Sequence, residues 1–442
     1  MYLHGTSKIN AEGHLEIGGV DVTGLAQEYG TPLYIVDEAL VRQRANEYVT
    51  AFKASGLKFQ VAYASKAFSV MAMCAIAEQE GLSLDVVSDG ELYTALQAGF
   101  PAARIHFHGN NKTPDEINMA LDANIGCFVV DNFVELRLLN ALAADKGKKV
   151  KILFRITPGV EAHTHEYIST GQQDSKFGFD LGNGAAKEAI REALELSNIE
   201  ILGVHSHIGS QIFEVDGFRM AVDKVAAFAV EIRNELGHTF QVINLGGGFG
   251  IRYVEGDTPL PVAQYVGAIT DAIITNFTAA NFPLPEIWVE PGRSIVGDAG
   301  TTLYTVGTMK EIPGVRKYVA VDGGMMDNPR PALYQSRYEA ILANRANEEN
   351  VETVTIAGKA CESGDKLIID LELPKAETGD LLAVFCTGAY NYAMASNYNR
   401  FRRPAVVFVK DGQSDLVVQR ESLENIVGND VIPARLRKSL AK

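Results

Sequence analysis

Lys66 stands directly after the apolar run 59–64 and a single serine, which delivers an amine to the end of an extended segment. When burial depresses its pKa, a lysine so placed can attack an aldehyde cofactor and hold it as a Schiff base. A lysine at a strand end is more often simply solvated. The rest of the chain decides between the two.

Two glycine-rich stretches offer what a phosphate needs. Gly246-Gly247-Gly248-Phe249-Gly250 follows one apolar run, and Pro291-Gly292-Arg293 follows the next. Glycines let backbone N–H groups approach an anion closely, although a tight turn explains a lone glycine run equally well. Glu290 closes the apolar segment Ile287-Trp288-Val289. A carboxylate there can keep a pyridine nitrogen protonated and turn the ring into an electron sink. The alternative is an ion pair with Arg293 or another arginine. In His205-Ser206-His207-Ile208-Gly209-Ser210, strand alternation puts His205 and His207 on one face. An imidazole there can stack on a planar group while Ser210 donates to a phosphate. A core or metal-binding histidine pair is the bland alternative, but no carboxylate cluster stands beside them in the sequence to complete a metal shell.

Positioning these groups requires a repeated unit. From about residue 58 to 293, short apolar runs alternate with longer amphipathic ones, which predicts βα units around a parallel sheet. About eight strands are expected, ending near 66, 88, 109, 131, 157, 207, 248 and 293, the number that closes a (β/α)8 TIM-type barrel. Polar, Gly-rich residues fall at the C-terminal end of nearly every strand, where barrels build active sites, and this disfavours a doubly wound open sheet. Residues 133–146 and 217–235 carry apolar side chains at helical spacing and form part of the outer ring. The long connection 158–184, with His163, His165 and Lys176, is either an active-site flap or a solvated insertion.

Beyond 293, Val-, Ile-, Thr- and Tyr-rich runs at 317–321, 351–356, 381–385 and 405–409 predict an all-β domain. The expected division is therefore a barrel over 30–293, with 1–29 and 294–442 forming the β domain. No internal repeat interrupts this scheme.

A formal net charge of -15 argues against a nucleic-acid partner, since phosphate-backbone affinity rests on clustered Lys and Arg. The four cysteines are scattered, without a C-x-x-C pair, so neither a disulfide framework nor structural zinc is expected. No signal peptide and no apolar run of membrane-spanning length is visible, which predicts a cytoplasmic protein with no membrane partner.

Seven strings taken in order carry a closer resemblance: Tyr63-Ala64-Ser65-Lys66-Ala67, His108-Gly109-Asn110-Asn111-Lys112, His205-Ser206-His207-Ile208-Gly209-Ser210-Gln211, Gly246-Gly247-Gly248-Phe249-Gly250, Glu290-Pro291-Gly292-Arg293, Cys361-Glu362-Ser363-Gly364-Asp365 and Gly388-Ala389-Tyr390. Together they resemble the diaminopimelate decarboxylase family over nearly the whole chain. That resemblance implies an alanine-racemase-like barrel plus β domain, working as a homodimer with shared active sites. It implies decarboxylation of meso-2,6-diaminopimelate to L-lysine through a Schiff base of pyridoxal 5'-phosphate.

By the same resemblance Lys66 holds the cofactor, and Gly247, Gly248, Gly292, Ser210 and Tyr390 gather its phosphate beside Arg293. His207 stacks on the ring, and Glu290 pairs with the ring nitrogen. Arg293, Arg330, Tyr334 and Tyr390 serve the substrate, Glu362 from the other subunit reads its distal ammonium, and Cys361 is the candidate proton donor. No metal is implied. Two departures stand out: Asp89 where a second glycine is expected, and Lys359-Ala360 before Cys361 where a proline is expected. The rival is a same-fold decarboxylase of ornithine, arginine or carboxynorspermidine, which should carry an acid where Arg330 or Tyr334 sits.

Overall fold

The computed structural model describes residues 2–160 and 175–437. They divide into two compact units, Met1–Thr6, Asp37–Gly300 and Phe385–Ala393 in the first, and Ser7–Val36, Thr301–Val384 and Met394–Lys442 in the second. The first unit begins at 37 and ends at 300, where the sequence suggests 30 and 293. One reason is the short helix Arg293–Val296, buried throughout, which continues the barrel past its last strand. Another is Asp37, which accepts hydrogen bonds from the backbone N–H and hydroxyl of Thr6 and caps the helix Glu38–Ser55. Residues 385–393, expected in the β domain, belong to the barrel unit and bring Tyr390 with them.

Eight parallel strands close the barrel: β1 (Phe59–Ala64), β2 (Ser83–Val86), β3 (Ile105–Phe107), β4 (Cys127–Val130), β5 (Val150–Thr157), β6 (Ile199–His205), β7 (Val242–Asn244) and β8 (Glu286–Val289). Neighbours pair in sequence order, and β8 pairs with β1 to complete the ring. These runs are apolar nearly throughout because helices cover one face and the barrel interior the other. Cys127, Val129, Leu153, Leu202, Val242 and Trp288 pack together as a buried apolar cluster drawn from five strands. His106 stacks on Trp288 with ring centroids 4.2 Å apart and planes 8° from parallel.

Toward the strand ends the interior turns polar. The register sets Ala64 opposite Asp85, Arg155 opposite His205, and His205 opposite Asn244. The βα turns are closed by side-chain caps, with Ser88, Thr113 and Asn132 each accepting from a backbone N–H in the following helix's first turn. The helix Asp216–Leu236 buries Phe218, Ala221, Val222, Val225, Ala229 and Ile232, spaced at three and four residues, and ends at left-handed Gly237.

The second unit is built of strands. Three short antiparallel strands, Lys8–Ile9, Leu15–Ile17 and Val20–Asp21, open it. Arg316–Val321, Glu352–Ala357, Leu381–Phe385 and Ala405–Lys410 then appear close to the expected positions in a mixed nine-stranded sheet. Among the described residues, no helix is long and apolar enough to cross a membrane.

Candidate active site

A cavity of about 410 Å³ opens at the C-terminal end of the barrel strands. Nine residues singled out in the sequence line it or stand in its wall: Lys66, His207, Ser210, Gly247, Gly248, Glu290, Gly292, Arg293 and Tyr390. Residues up to 324 positions apart in the chain are thus brought to one place by barrel closure.

Lys66 lies in a single turn of helix, Ser65–Ala67, immediately after β1. Its Nζ donates to Oδ2 of Asp85 at 2.7 Å. The lysine side chain is 42% exposed through the cavity, whereas Asp85 has no exposure at all. Protein packed around the amine disfavours its charge, but Asp85 first, then Tyr390 and Glu290, more than compensate and hold its pKa above the ordinary lysine value. Asp85 is missing from the sequence reading, although its position in an apolar strand is the same signal that exposed Glu290.

Glu290 sits at the bottom of the cavity. Its Oε2 is 3.0 Å from Nε2 of His205, and its Oε1 is 3.0 Å from Nε2 of His108 and accepts from Nδ2 of Asn244 at 2.6 Å. Burial would raise its pKa, yet His108 and His205 hold it well below the usual carboxylate range. The pairing with Arg293 considered for Glu290 is not what forms. The sequence also showed no carboxylate beside His205 and His207, but barrel closure sets Glu290 against His205. His205 itself is pulled down by burial, with Glu290 opposing. Among the described residues, His108, Glu290 and His205 bring one potential ligand atom each within 4.8 Å of one another, while Glu290 is already in contact with His205 and accepts from Asn244.

His207 accepts at Nδ1 from the N–H of Gly247 at 3.2 Å, and burial holds its pKa well below the usual value, leaving a neutral ring in the cavity wall. The glycines are here for room. A Cβ on Gly247 would stand 2.2 Å from the carbonyl oxygen of Glu290, and one on Gly248, at φ +104°, would stand 2.4 Å from that of Gly209. Arg293 closes this side, donating to Ser210 Oγ at 3.0 Å and to Tyr253 Oη at 2.5 Å with its guanidinium 4.8 Å from the Tyr390 ring centroid. Tyr253 gave no signal in the sequence.

These groups fit pyridoxal 5'-phosphate. A cradle of glycine backbone, a serine and an arginine suits its phosphate. A buried ionised carboxylate suits a protonated ring nitrogen, and a lysine in the wall suits its aldehyde.

Arg330, Tyr334, Cys361 and Glu362 belong to the second unit. Arg330 begins the short helix Arg330–Tyr334, is buried, and donates to Ser336 Oγ at 3.2 Å and Tyr338 Oη at 3.3 Å. Its guanidinium lies 6.0 Å from the Tyr334 ring centroid. Cys361 and Glu362 are exposed on a loop pinned by Asp365, which accepts from the backbone N–H groups of Met325 and Ala360, while Asn399 accepts from that of Cys361.

Of the long connection, His163 and His165 lie outside the described residues, and Lys176 lines the cavity. The departure at Asp89 places an acid in the first turn of the helix Asp89–Gln97, where a negative charge is favourable. Lys359 lies with its ammonium 4.8 Å from the Phe401 ring centroid, and its N–H donates to the carbonyl of Gly323.

Residues 38–297 match the family model described as the pyridoxal-binding domain of pyridoxal-dependent decarboxylases. The chain is 62% identical to a diaminopimelate decarboxylase of Bacillus subtilis over 98% of both chains. It is 50% identical to one from Staphylococcus aureus over 96% of this chain and 99% of the other. Among solved structures, the diaminopimelate decarboxylase of M. jannaschii in complex with L-lysine superposes with a TM-score of 0.92 at 39% identity, covering 98% of this chain and 99% of that one. The enzyme from Helicobacter pylori complexed with L-lysine gives 0.85 at 32% identity, covering 92% and 98%.

Proposed function

The chain belongs to the diaminopimelate decarboxylases, pyridoxal-phosphate-dependent carboxy-lyases, and on that premise we propose how its own residues convert meso-2,6-diaminopimelate to L-lysine and carbon dioxide. The observation that carries the reading is the single cavity in which Lys66, Glu290 and the glycine cradle converge. When bound, the cofactor supplies an aldehyde for the substrate's amine and a ring that accepts the electrons of the breaking C–C bond.

Lys66 would hold the cofactor by its aldehyde, and Asp85, whose Oδ2 lies 2.7 Å from Nζ, would pair with the lysine ammonium when the substrate's amine takes that place. Glu290, kept ionised by its histidines, holds a proton on the ring nitrogen. Gly247, Gly248, Gly292, Ser210 and Tyr390 fix the phosphate, and His207 packs on the ring face. Arg293, Arg330 and Tyr334 take the distal carboxylate, for which a guanidinium's planar fork is suited. Cys361 of the partner subunit returns a proton to the carbon that loses its carboxylate, and Glu362 of the partner subunit reads the distal ammonium. This makes a homodimer the working unit. A cytoplasmic location belongs to the same reading, and thiols at Cys74, Cys127 and Cys361 suit a reducing compartment.

The test is release of carbon dioxide from diaminopimelate, lysine, ornithine, arginine and carboxynorspermidine, with and without added pyridoxal phosphate. Release from diaminopimelate alone, dependent on the cofactor, is expected. Preference for a monocarboxylic basic substrate would overturn the assignment of the arginines.

A further inference from the structure

The motif His108-Gly109-Asn110-Asn111-Lys112 ends in a lysine for which the chemistry above has no use. Its side chain is 1% exposed, and its ammonium donates to the carbonyls of Gly109 and Val129, each at 2.8 Å, and to Oε1 of Glu135 at 2.7 Å. Every donor it has is spent. Glu135, 3% exposed, passes the connection on, its Oε2 accepting from the N–H of Asp131 at 3.0 Å. Asp131 in turn accepts at Oδ2 from the N–H of Gly178 at 3.0 Å. Its other oxygen, Oδ1, is buried without a hydrogen bond and lies 4.0 Å from Nε of Arg155.

Arg155 is where this chain of contacts meets the cavity. Its side chain is 12% exposed, lines the cavity, and carries its guanidinium carbon 4.2 Å from the ring centroid of Phe177. Among the described residues its guanidinium makes no hydrogen bond, which is unusual for a group so far removed from water. Gly178 is pressed against it: at φ +77°, a Cβ there would stand 2.8 Å from the Arg155 carbonyl oxygen.

We propose that Lys112 is a positioning residue which, through Glu135 and Asp131, holds Arg155 and residues 177–178 at the cavity wall so that the guanidinium meets an anionic oxygen of the bound molecules. With its ammonium in place Glu135 is neutralised and Asp131 is engaged with Gly178, so neither carboxylate closes on Arg155. Without it, two buried carboxylates remain, and Arg155 is the cation already facing one of them. The guanidinium is then drawn out of the cavity; where Glu135 is removed as well, the Asp131 N–H loses its acceptor, and Asp131 is no longer tethered away from Arg155. The anionic oxygen has two sources, a ring oxygen of the cofactor or a carboxylate of the substrate.

The experiment compares the holoenzyme with Lys112→Met, Lys112→Met/Glu135→Met and Arg155→Met. Removing both members of a buried ion pair is often neutral for stability, so the double variant tests function in a folded protein. The expected result is a Tm near wild type for the double variant, together with the defect of Arg155→Met. A moved visible spectrum or spectral pH titration without substrate assigns the ring oxygen. A KM for diaminopimelate raised about tenfold or more with an unmoved spectrum assigns the carboxylate. Adding Arg155→Met to the double variant should cost nothing further. Wild-type spectrum and KM in a folded double variant would overturn the proposal. If neither Lys112 variant folds, wild-type spectrum and KM in Arg155→Met overturn it equally.

Discussion

Lys66 Nζ lies 2.7 Å from Oδ2 of Asp85, a carboxylate with no solvent exposure. The pair holds the lysine protonated, since Asp85, Tyr390 and Glu290 together outweigh the loss of hydration. A raised lysine pKa stabilises the fold at every pH below the ordinary value of 10.5, and that contribution fades only as pH climbs through the raised one. It also makes the free amine scarce at neutral pH. Asp85→Asn should therefore speed capture of pyridoxal phosphate by the cofactor-free protein and move its pH dependence toward lower pH. Stopped-flow absorbance against pH reads both. An unmoved profile would show that Asp85 does not govern the amine.

The buried imidazoles set the acid limit of stability. Burial brings His106 down from 6.5 to about 4, and lowers His205 and His207 as well. A group with a depressed pKa refuses in the folded state a proton that the unfolded chain accepts. Stability is thus full above 6.5 and falls as pH drops toward 4, by roughly 3 kcal/mol from His106 alone. Urea unfolding at several pH values should show this slope, and His106→Gln should flatten it. An equal slope in the variant would mean that His106 takes up its proton while folded.

Much of this was legible in the sequence because it is local. Eight strand ends could be read from apolar runs stopping at polar residues, and Lys66, Glu290, His207 and the glycines stand at those ends. What escaped depends on closure. Asp85, Asn244 and Arg155 acquire their roles only when strand pairing sets each beside a partner at the end of a neighbouring strand, as Asn244 reaches Glu290 at 2.6 Å. The placement of 385–393 with the barrel escaped for the same reason, since nothing in that text distinguishes it from its β-rich surroundings.

Arg330 is buried and donates to Ser336 Oγ and Tyr338 Oη, and the proposed function gives it the substrate's distal carboxylate. Arg330→Ala should raise KM for diaminopimelate by about a hundredfold or more, the cost of one lost charge-assisted bidentate contact, and leave the spectrum of bound cofactor unchanged. Loss of cofactor with an unaltered KM would make Arg330 a structural residue of the second unit.

Cys361 and Glu362 stand exposed on a loop of the second unit, and the proposed function gives them to the active site of the other subunit. An exposed thiol with no catalytic duty should tolerate Cys361→Ala, so near-complete loss of activity is the first expectation. The sharper measurement mixes Lys66→Ala subunits with Cys361→Ala subunits, each nearly inactive alone, under conditions that let dimers exchange. In a mixed dimer with shared sites, one site carries both defects and the other carries neither. Statistical mixing makes about half of the dimers mixed, so about a quarter of all sites become intact and about a quarter of wild-type activity returns, a recovery well above the single-variant background expected for such catalytic losses. If each site were built within one subunit, every site would keep one defect whatever the mixing ratio. Activity would then stay at background, and the assignment of Cys361 to the partner's site would fail while its assignment as proton donor could stand.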